Sequence, residues 1–157
     1  MPHEGEQHGE WFDPDGLRFA CTMCGNCCSG PPGYVHVNDK EVGAIAQHLM
    51  LSVGVFEAEY CVTTSLGRSL REVRSEHGHD CVFLDRVSQP GRAVCGVYEA
   101  RPAQCRAWPF WPSLLRSRSD WERAGRTCPG IGKGDLHGVE RIQLVRATIE
   151  GRLDPSR

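Results

Sequence analysis

The sequence is short of the side chains that build an apolar core. Leu, Ile, Val and Phe together supply 33 of 157 residues, close to the level at which chains stay unfolded, in a length that normally makes one domain. No stretch approaches 18 apolar residues, which argues against a membrane span. Nor is there an excess of either charge. Eighteen basic and 20 acidic residues leave a net charge of -2 and a pI near 6.4, which argues against the electrostatic footprint of a nucleic-acid binder. The segment Met1 to Glu10 has neither the basic start nor the apolar run of a secretory signal, so a cytoplasmic protein is expected. No internal repeat, low-complexity tract or domain boundary interrupts the chain.

What is present instead is 9 Cys, 18 Gly, 10 Pro and 4 Trp. In a reducing cytosol nine cysteines are hard to explain as a disulfide framework and easier to explain as ligands. Metal–thiolate bonds would then supply stability that apolar burial does not. The fold expected is a small α+β metal-stabilised domain with cysteine-rich loops, a few short antiparallel strands and two to four short helices. Residues 1–18 read as a leader that Trp11, Phe12, Leu17 and Phe19 could partly dock. Residues 19–134 read as the metal or iron–sulfur module, and 135–152 as a C-terminal helix packed on it.

Local signals sharpen that outline. Asn38 with Glu41 makes a capping box, and Val42, Ile45, Ala46 and Leu49 share one face of a helix over about 39–50. A second helix begins at Ser52 and carries Phe56 and Tyr60, although Gly54 weakens it. Short strands are expected around Val35 and Val37, at Leu70 and Val73, over 81–84 and over 93–98, with Gln89-Pro90-Gly91 turning the last pair. Residues 99–105 read as a helical turn interrupted near Pro102. Trp108 to Pro112 reads as a rigid packed loop, 128–134 as a glycine-rich turn, and about 136–150 as a closing amphipathic helix.

Cys21, Cys24 and Cys27 are spaced C-x2-C-x2-C on a loop that its glycines and prolines keep irregular. Two intervening residues let such a loop wrap one metal or cluster with peptide N–H groups turned toward the sulfurs. Three cysteines in this run suit three corners of a [4Fe–4S] cube, and ferredoxins add a cysteine followed by proline. Here Cys128 precedes Pro129, far away in sequence. Adjacent side chains on an extended loop leave in different directions, so Cys27 and Cys28 need not serve one centre; they could feed two neighbouring sites, or one could cap a larger cluster. Cys81, Cys95 and Cys105 can join only if the chain folds back on itself. Zinc would take these thiolates as two tetrahedral sites. An iron–sulfur cluster is favoured by the C-x2-C-x2-C run and by an aromatic cover of Trp108, Phe110 and Trp111. Cys61 reads as an ordinary semi-buried thiol.

Three blocks of sequence together resemble the YkgJ-type CxxCxxCC family, known as a zinc- or iron-chelating domain. They are Cys21-x-x-Cys24-Gly25-x-Cys27-Cys28, then Cys81-Val-Phe-Leu84 with Cys95-Gly-Val-Tyr98-Glu-Ala-Arg101-Pro102-Ala-Gln-Cys105-Arg106-Ala-Trp108-Pro109-Phe110, and Cys128-Pro129-Gly130-Ile-Gly132. The resemblance covers about residues 19–133. It implies that Cys21, Cys24, Cys27, Cys28, Cys81, Cys95, Cys105 and Cys128 act together as cofactor and metal ligands, and that Cys61 stands outside the set. One branch of the family resembles flagellin lysine N-methylases, which are larger; this chain holds the cysteine module with little beyond it.

Other residues fill in the reading. Arg101 and Arg106 could stabilise a negatively charged centre or attract an anion. Gly130, Gly132, Lys133 and Gly134 do not match a phosphate-loop spacing and read as a tight turn. His77 and His79 lie near Cys81 but read as loop histidines. Asp80 and Asp85 form no catalytic carboxylate pair, and no nucleophile–base pair is visible. Arg116, Arg118, Arg123 and Arg126, diluted by Asp120 and Glu122, read as a solvated surface. The function expected is an iron–sulfur protein with a redox or cluster-dependent role. The alternatives are a zinc-binding structural or interaction module and, more weakly, metal storage or delivery. An unidentified protein or small molecule would be the partner.

Overall fold

The computed structural model describes residues 9–151. In chain order the elements are β1 (Leu17–Phe19), a 3₁₀ turn (Asn26–Cys28), α1 (Asp39–His48), α2 (Val53–Tyr60), β2 (Cys61–Thr64), β3 (Gly67–Leu70), β4 (Glu72–Ser75), β5 (Gly78–Cys81), β6 (Leu84–Asp85) and β7 (Val94–Cys95). A second 3₁₀ turn (Tyr98–Ala100) leads to α3 (Ala103–Ala107), α4 (Pro112–Leu115), α5 (Arg118–Gly125), β8 (Ile131–His137) and α6 (Val139–Ala147). This is the small α+β arrangement with short antiparallel strands that the sequence pattern predicts.

The first helix forms for the reason its sequence suggests. The Asn38 side chain accepts the Glu41 N–H at 2.8 Å, and the Glu41 carboxylate accepts the Asn38 N–H at 3.1 Å. Two donors that a helix start leaves open are thereby satisfied. Ser52 caps α2 in the same manner through the Val55 N–H, and Gly54 does not interrupt it. Residues 35–37 run beside β3, with Val37 N–H on the Arg68 carbonyl and Leu70 N–H on the Val35 carbonyl.

The strands assemble only as pairs: β1 with β8, β2 with β3, β4 with β5 and β6 with β7. A two-stranded ribbon is marginal alone in water, so each must lean on something else. One support is the cluster of Val42, Ile45, Phe56, Leu70, Phe83 and Val97, which joins α1, α2 and β3 to the loop after β5. A second cluster unites Phe12, Leu17, Phe110, Leu115, Trp121 and Ile142, and a third, small one holds Ala107, Trp111 and Ile149. Trp11, Phe12 and Leu17, from the segment expected as a leader, therefore pack into the second cluster; residues 1–8 of that segment lie outside the described residues.

Four elements depart from the sequence reading. The 128–134 turn continues into β8, and the last helix starts at Val139 rather than near 136. Gly132, Lys133 and Gly134 carry no strand propensity; they lie in the bulge of β8, whose two ends pair with β1 at Arg18–Leu136 and Phe19–Ile131. The arginine-rich run is not merely a solvated surface but α5, capped by Ser117 and burying Trp121. The polar stretch after Cys61 is β2, whose β-branched Val62, Thr63 and Thr64 suit a strand.

Phe56 is fully buried, with ring centroids 5.6 Å from Tyr60 and 6.3 Å from Phe83. Phe56→Ala removes the centre of the first cluster and is expected to cost about 3–5 kcal/mol, read as a lowered midpoint in denaturant unfolding. An unchanged midpoint would show that this cluster does not carry the fold.

Candidate metal centre

The loop around the first four cysteines owes its shape to two residues in the left-handed region, Met23 at φ 57° and Gly25 at φ 80°. The turns they make aim peptide donors at sulfur. Met23 N–H points to Cys21 Sγ and Asn26 N–H to Cys24 Sγ, each at 3.4 Å, as the C-x2-C spacing predicts. Gly25 is needed for space as well as for φ, because a Cβ there would sit 2.6 Å from the Ala93 methyl. The close approach lets Ala93 N–H bond the Met23 carbonyl at 2.8 Å, strapping the loop against the segment that carries Cys95.

The same loop is tied to the far end of the chain. Asn26 Nδ2 donates to the Thr127 carbonyl at 2.6 Å, one residue before Cys128. On the other side, Ala20 N–H donates to the Gly130 carbonyl at 3.2 Å. Any Cβ on Gly130 would lie 1.9 Å from the Ala20 carbonyl oxygen, so backbone presses directly on backbone. Gly130 and β8 thus serve the pairing with β1, and the tight-turn reading survives only for residues 128–131.

The eight candidate cysteines fall into two neighbourhoods. Cys27, Cys28, Cys81, Cys95 and Cys105 share one. Cys27 and Cys28 bring their sulfurs to 3.7 Å. The thiol shared between them lowers Cys27 to about 7 and holds Cys28 protonated well above the ordinary thiol range. Burial pushes Cys81 up to about 11, and the charge of Cys95 adds to the rise. Cys95 is raised by burial too. Cys105 is pushed up most by burial, then by charge on Cys81, Cys95 and Cys27. These five come from the loop, β5, β7 and α3. The other neighbourhood pairs Cys24 with Cys128. Burial raises Cys128, while a hydrogen bond from Trp108 works against the rise. Cys21 is exposed at its edge. Among the described residues no three His, Cys, Asp or Glu side chains meet closely enough to hold a single metal ion. The thiols line a region and do not meet at a point.

All nine cysteines are free thiols, and Cys61 is buried in the first apolar cluster with its pKa raised by that burial. It packs there as an ordinary core side chain. Of the aromatic cover, only Trp108 reaches a cysteine. Phe110 stacks on Trp121 in the second cluster, and Trp111 donates from Nε1 to the Gln104 carbonyl at 2.8 Å. His77 lies 3.4 Å from Glu76 and His79 3.6 Å from Glu72.

The two arginines do different work. Arg101 stacks on the Tyr98 ring, 3.8 Å from its centroid, and its charge stabilises thiolate at Cys27, Cys95 and Cys105. Arg106 instead donates to the Arg101 and Glu99 carbonyls at 2.7 and 2.8 Å. It staples the 3₁₀ turn that presents Arg101.

A family profile described as a candidate zinc- or iron-chelating domain, CxxCxxCC, matches residues 20–129. The chain belongs to the CxxCxxCC family. An uncharacterised protein of Methanocaldococcus jannaschii is 28% identical over 96 residues, which are 61% of this chain and 47% of that protein. The chain thus spans about half the length of this relative. No solved structure matches it. CxxCxxCC membership accounts for the three cysteine blocks and supports metal binding, with zinc and iron both compatible.

One structural member of the site escaped the sequence reading. Asp80 is buried and accepts Arg86 Nε at 3.2 Å and Nη2 at 3.3 Å, and also takes a short hydrogen bond from Ser29. It therefore bolts the residue after Cys28 to the residue before Cys81. Aspartate at a strand position beside a cysteine was the available signal, with Arg86 six residues on. The Arg86 hydrogen bond holds the Asp80 carboxyl down to about 2. A depressed folded pKa gives stability that is fully present above the unfolded value near 3.9, and lost as pH falls through about 2. Asp80→Ala is expected to cost roughly 3 kcal/mol at neutral pH by stranding Arg86. The deficit should shrink as pH falls from 4 to 2. A deficit independent of pH would refute the ion-pair role.

Proposed function

We propose that this CxxCxxCC protein holds an iron–sulfur centre through Cys21, Cys24, Cys27, Cys28, Cys81, Cys95, Cys105 and Cys128, and uses it in a redox or cluster-dependent role. The observation that carries the reading is the gathering of five thiols from four separate segments around one locus. A single zinc ion uses four ligands at a point. Five thiols spread over a region suit a centre that is itself several atoms wide, for which thiolate is the usual ligand. When bound, such a centre supplies one-electron chemistry or an iron site for substrate.

The chain's own residues are fitted to that task. Metal binding needs thiolate, so the raised thiols must release protons on loading. Arg101 compensates part of the charge that five thiolates would bring, and its guanidinium is held by Tyr98 rather than spent on a carboxylate. Peptide N–H groups on Cys21 and Cys24 and the Trp108 donor on Cys128 would withdraw charge from sulfur, a lever that tunes such centres. All nine cysteines being free thiols suits a reducing, cytoplasmic setting. Among the described residues no helix is long and apolar enough to cross a membrane. A protein or small molecule that exchanges electrons with the centre, or binds at it, would be the partner.

Zinc is the second reading. The Cys21–Cys24 turn, with its two N–H to sulfur contacts and with Cys128 near Cys24, is also the knuckle of a tetrahedral zinc site. Anaerobic purification followed by iron, zinc and acid-labile sulfide analysis and a visible spectrum separates the two. The expected result is a coloured protein with iron and sulfide in equal amounts. A colourless protein holding zinc and no sulfide would sink the cluster reading. Cys105→Ser should lose most of the bound metal, whereas Cys61→Ala should keep all of it; equal retention in both would overturn the ligand assignment.

A further inference from the structure

Away from the thiols, an open groove of about 620 Å³ has a base that includes Trp11, Trp121 and Ile131 and a rim that carries Arg18, Arg118 and Arg126. Its volume is that of a pocket for a small organic ligand. The walls are the turn before β1, α5 and β8. They close on each other where β8 bulges against β1: Arg18 pairs with Leu136, but Phe19 pairs with Ile131, so residues 132–135 loop out beside the groove. Bulges of this kind often re-aim backbone next to a binding site.

Among the described residues the charges at the rim have no ion-pair partner. Arg118 lies over the Trp11 ring, 5.3 Å from its centroid. Trp11 is itself anchored by Nε1 on the Leu115 carbonyl at 2.7 Å. Arg18 spends one nitrogen on the Gly134 carbonyl at 3.0 Å. Among the described residues none of the three arginines makes an ion pair, and neither do the two carboxylates of the groove, Asp15 and Glu122. Elsewhere on the same helix Arg123 is paired with Asp120 at 3.0 Å, so the helix has a carboxylate available and the groove arginines do not use it. Three guanidinium groups against two carboxylates leave the groove cationic. Guanidinium forks bind phosphate and carboxylate, and an indole floor favours a flat ring.

We infer that this groove binds a small anion bearing a planar aromatic ring, of mononucleotide size, with the anionic group held by the groove arginines and the ring toward Trp11. The site is distinct from the thiols but adjoins them along the chain. β1 leads in two residues from Phe19 to Cys21, and α5 leads from Arg126 through Thr127 to Cys128. The inference does not rest on which metal those thiols hold.

Isothermal titration of the full-length, metal-loaded protein with AMP, adenosine and inorganic phosphate tests it. AMP is expected to bind at least about tenfold more tightly than adenosine or phosphate, since each lacks one half of the recognition. Arg118→Gln and Arg126→Gln should each weaken AMP binding by about tenfold, with metal content and far-ultraviolet circular dichroism unchanged. Glu122→Gln should tighten it two- to threefold or so by removing a like charge, a gain that mere structural damage would not produce. Absence of AMP binding at millimolar concentration would overturn the inference. So would phosphate binding as tightly as AMP, or affinity indifferent to all three substitutions.

Discussion

Thiols crowded together constrain everything around them. Cys27, Cys28, Cys81, Cys95 and Cys105 raise or lower one another because a thiolate at one position disfavours a thiolate at the next. Such a set is stable as neutral thiols or around a positive centre, and not as five free anions. Among the described residues Arg101 is the cation whose charge reaches Cys27, Cys95 and Cys105, and a single guanidinium does not neutralise five charges. The local structure is organised to keep the sulfurs near one another in spite of this. Gly25 admits Ala93, Asn26 holds Thr127, Gly130 lies against Ala20, and Asp80 joins Ser29 to Arg86.

Those contacts also explain how a chain so poor in apolar side chains folds. Its apolar residues are divided among separate clusters, one around Phe56 and Ile45 and another around Ile142 and Trp121. Among the described residues the strands between them form two-stranded sheets. The cysteine loops are the joint. Cys81 and Cys95 pack against the first cluster, while Trp108, which donates to Cys128, packs with Trp111 at the third. A bound centre at this joint would add its binding free energy to folding, as structural metal sites do.

Much of this was legible in the order of the residues. The capping box at Asn38 and Glu41 and the apolar spacing of Val42, Ile45 and Ala46 specify α1 without help from distant contacts. The C-x2-C run specifies the N–H to sulfur turns, because two intervening residues leave the loop few shapes. Cys61 was separable from the other cysteines because it lies outside the three blocks that carry the family resemblance. β8 was not legible, since nothing in Gly132-Lys133-Gly134 favours a strand until β1 supplies the partner. Nor was α5, whose single buried Trp121 leaves a weak helical pattern among arginines. Phe110 and Trp111 follow Trp108 in sequence and look equivalent to it, but Phe110 turns into the second cluster, and Trp111, which shares the third with Trp108, spends its Nε1 on the Gln104 carbonyl. The separation of the cysteines into two neighbourhoods is a property of the fold alone.

The central claim is that the thiol region, once loaded, joins the apolar clusters. Hydrogen exchange on metal-loaded and chelator-treated protein tests it most directly. The account predicts that metal removal strips protection from residues 20–29, 93–107 and 126–131, while Ile45 and Ala46 in α1 lose much less. Equal protection with and without metal would contradict it and would leave the apolar clusters as sufficient by themselves.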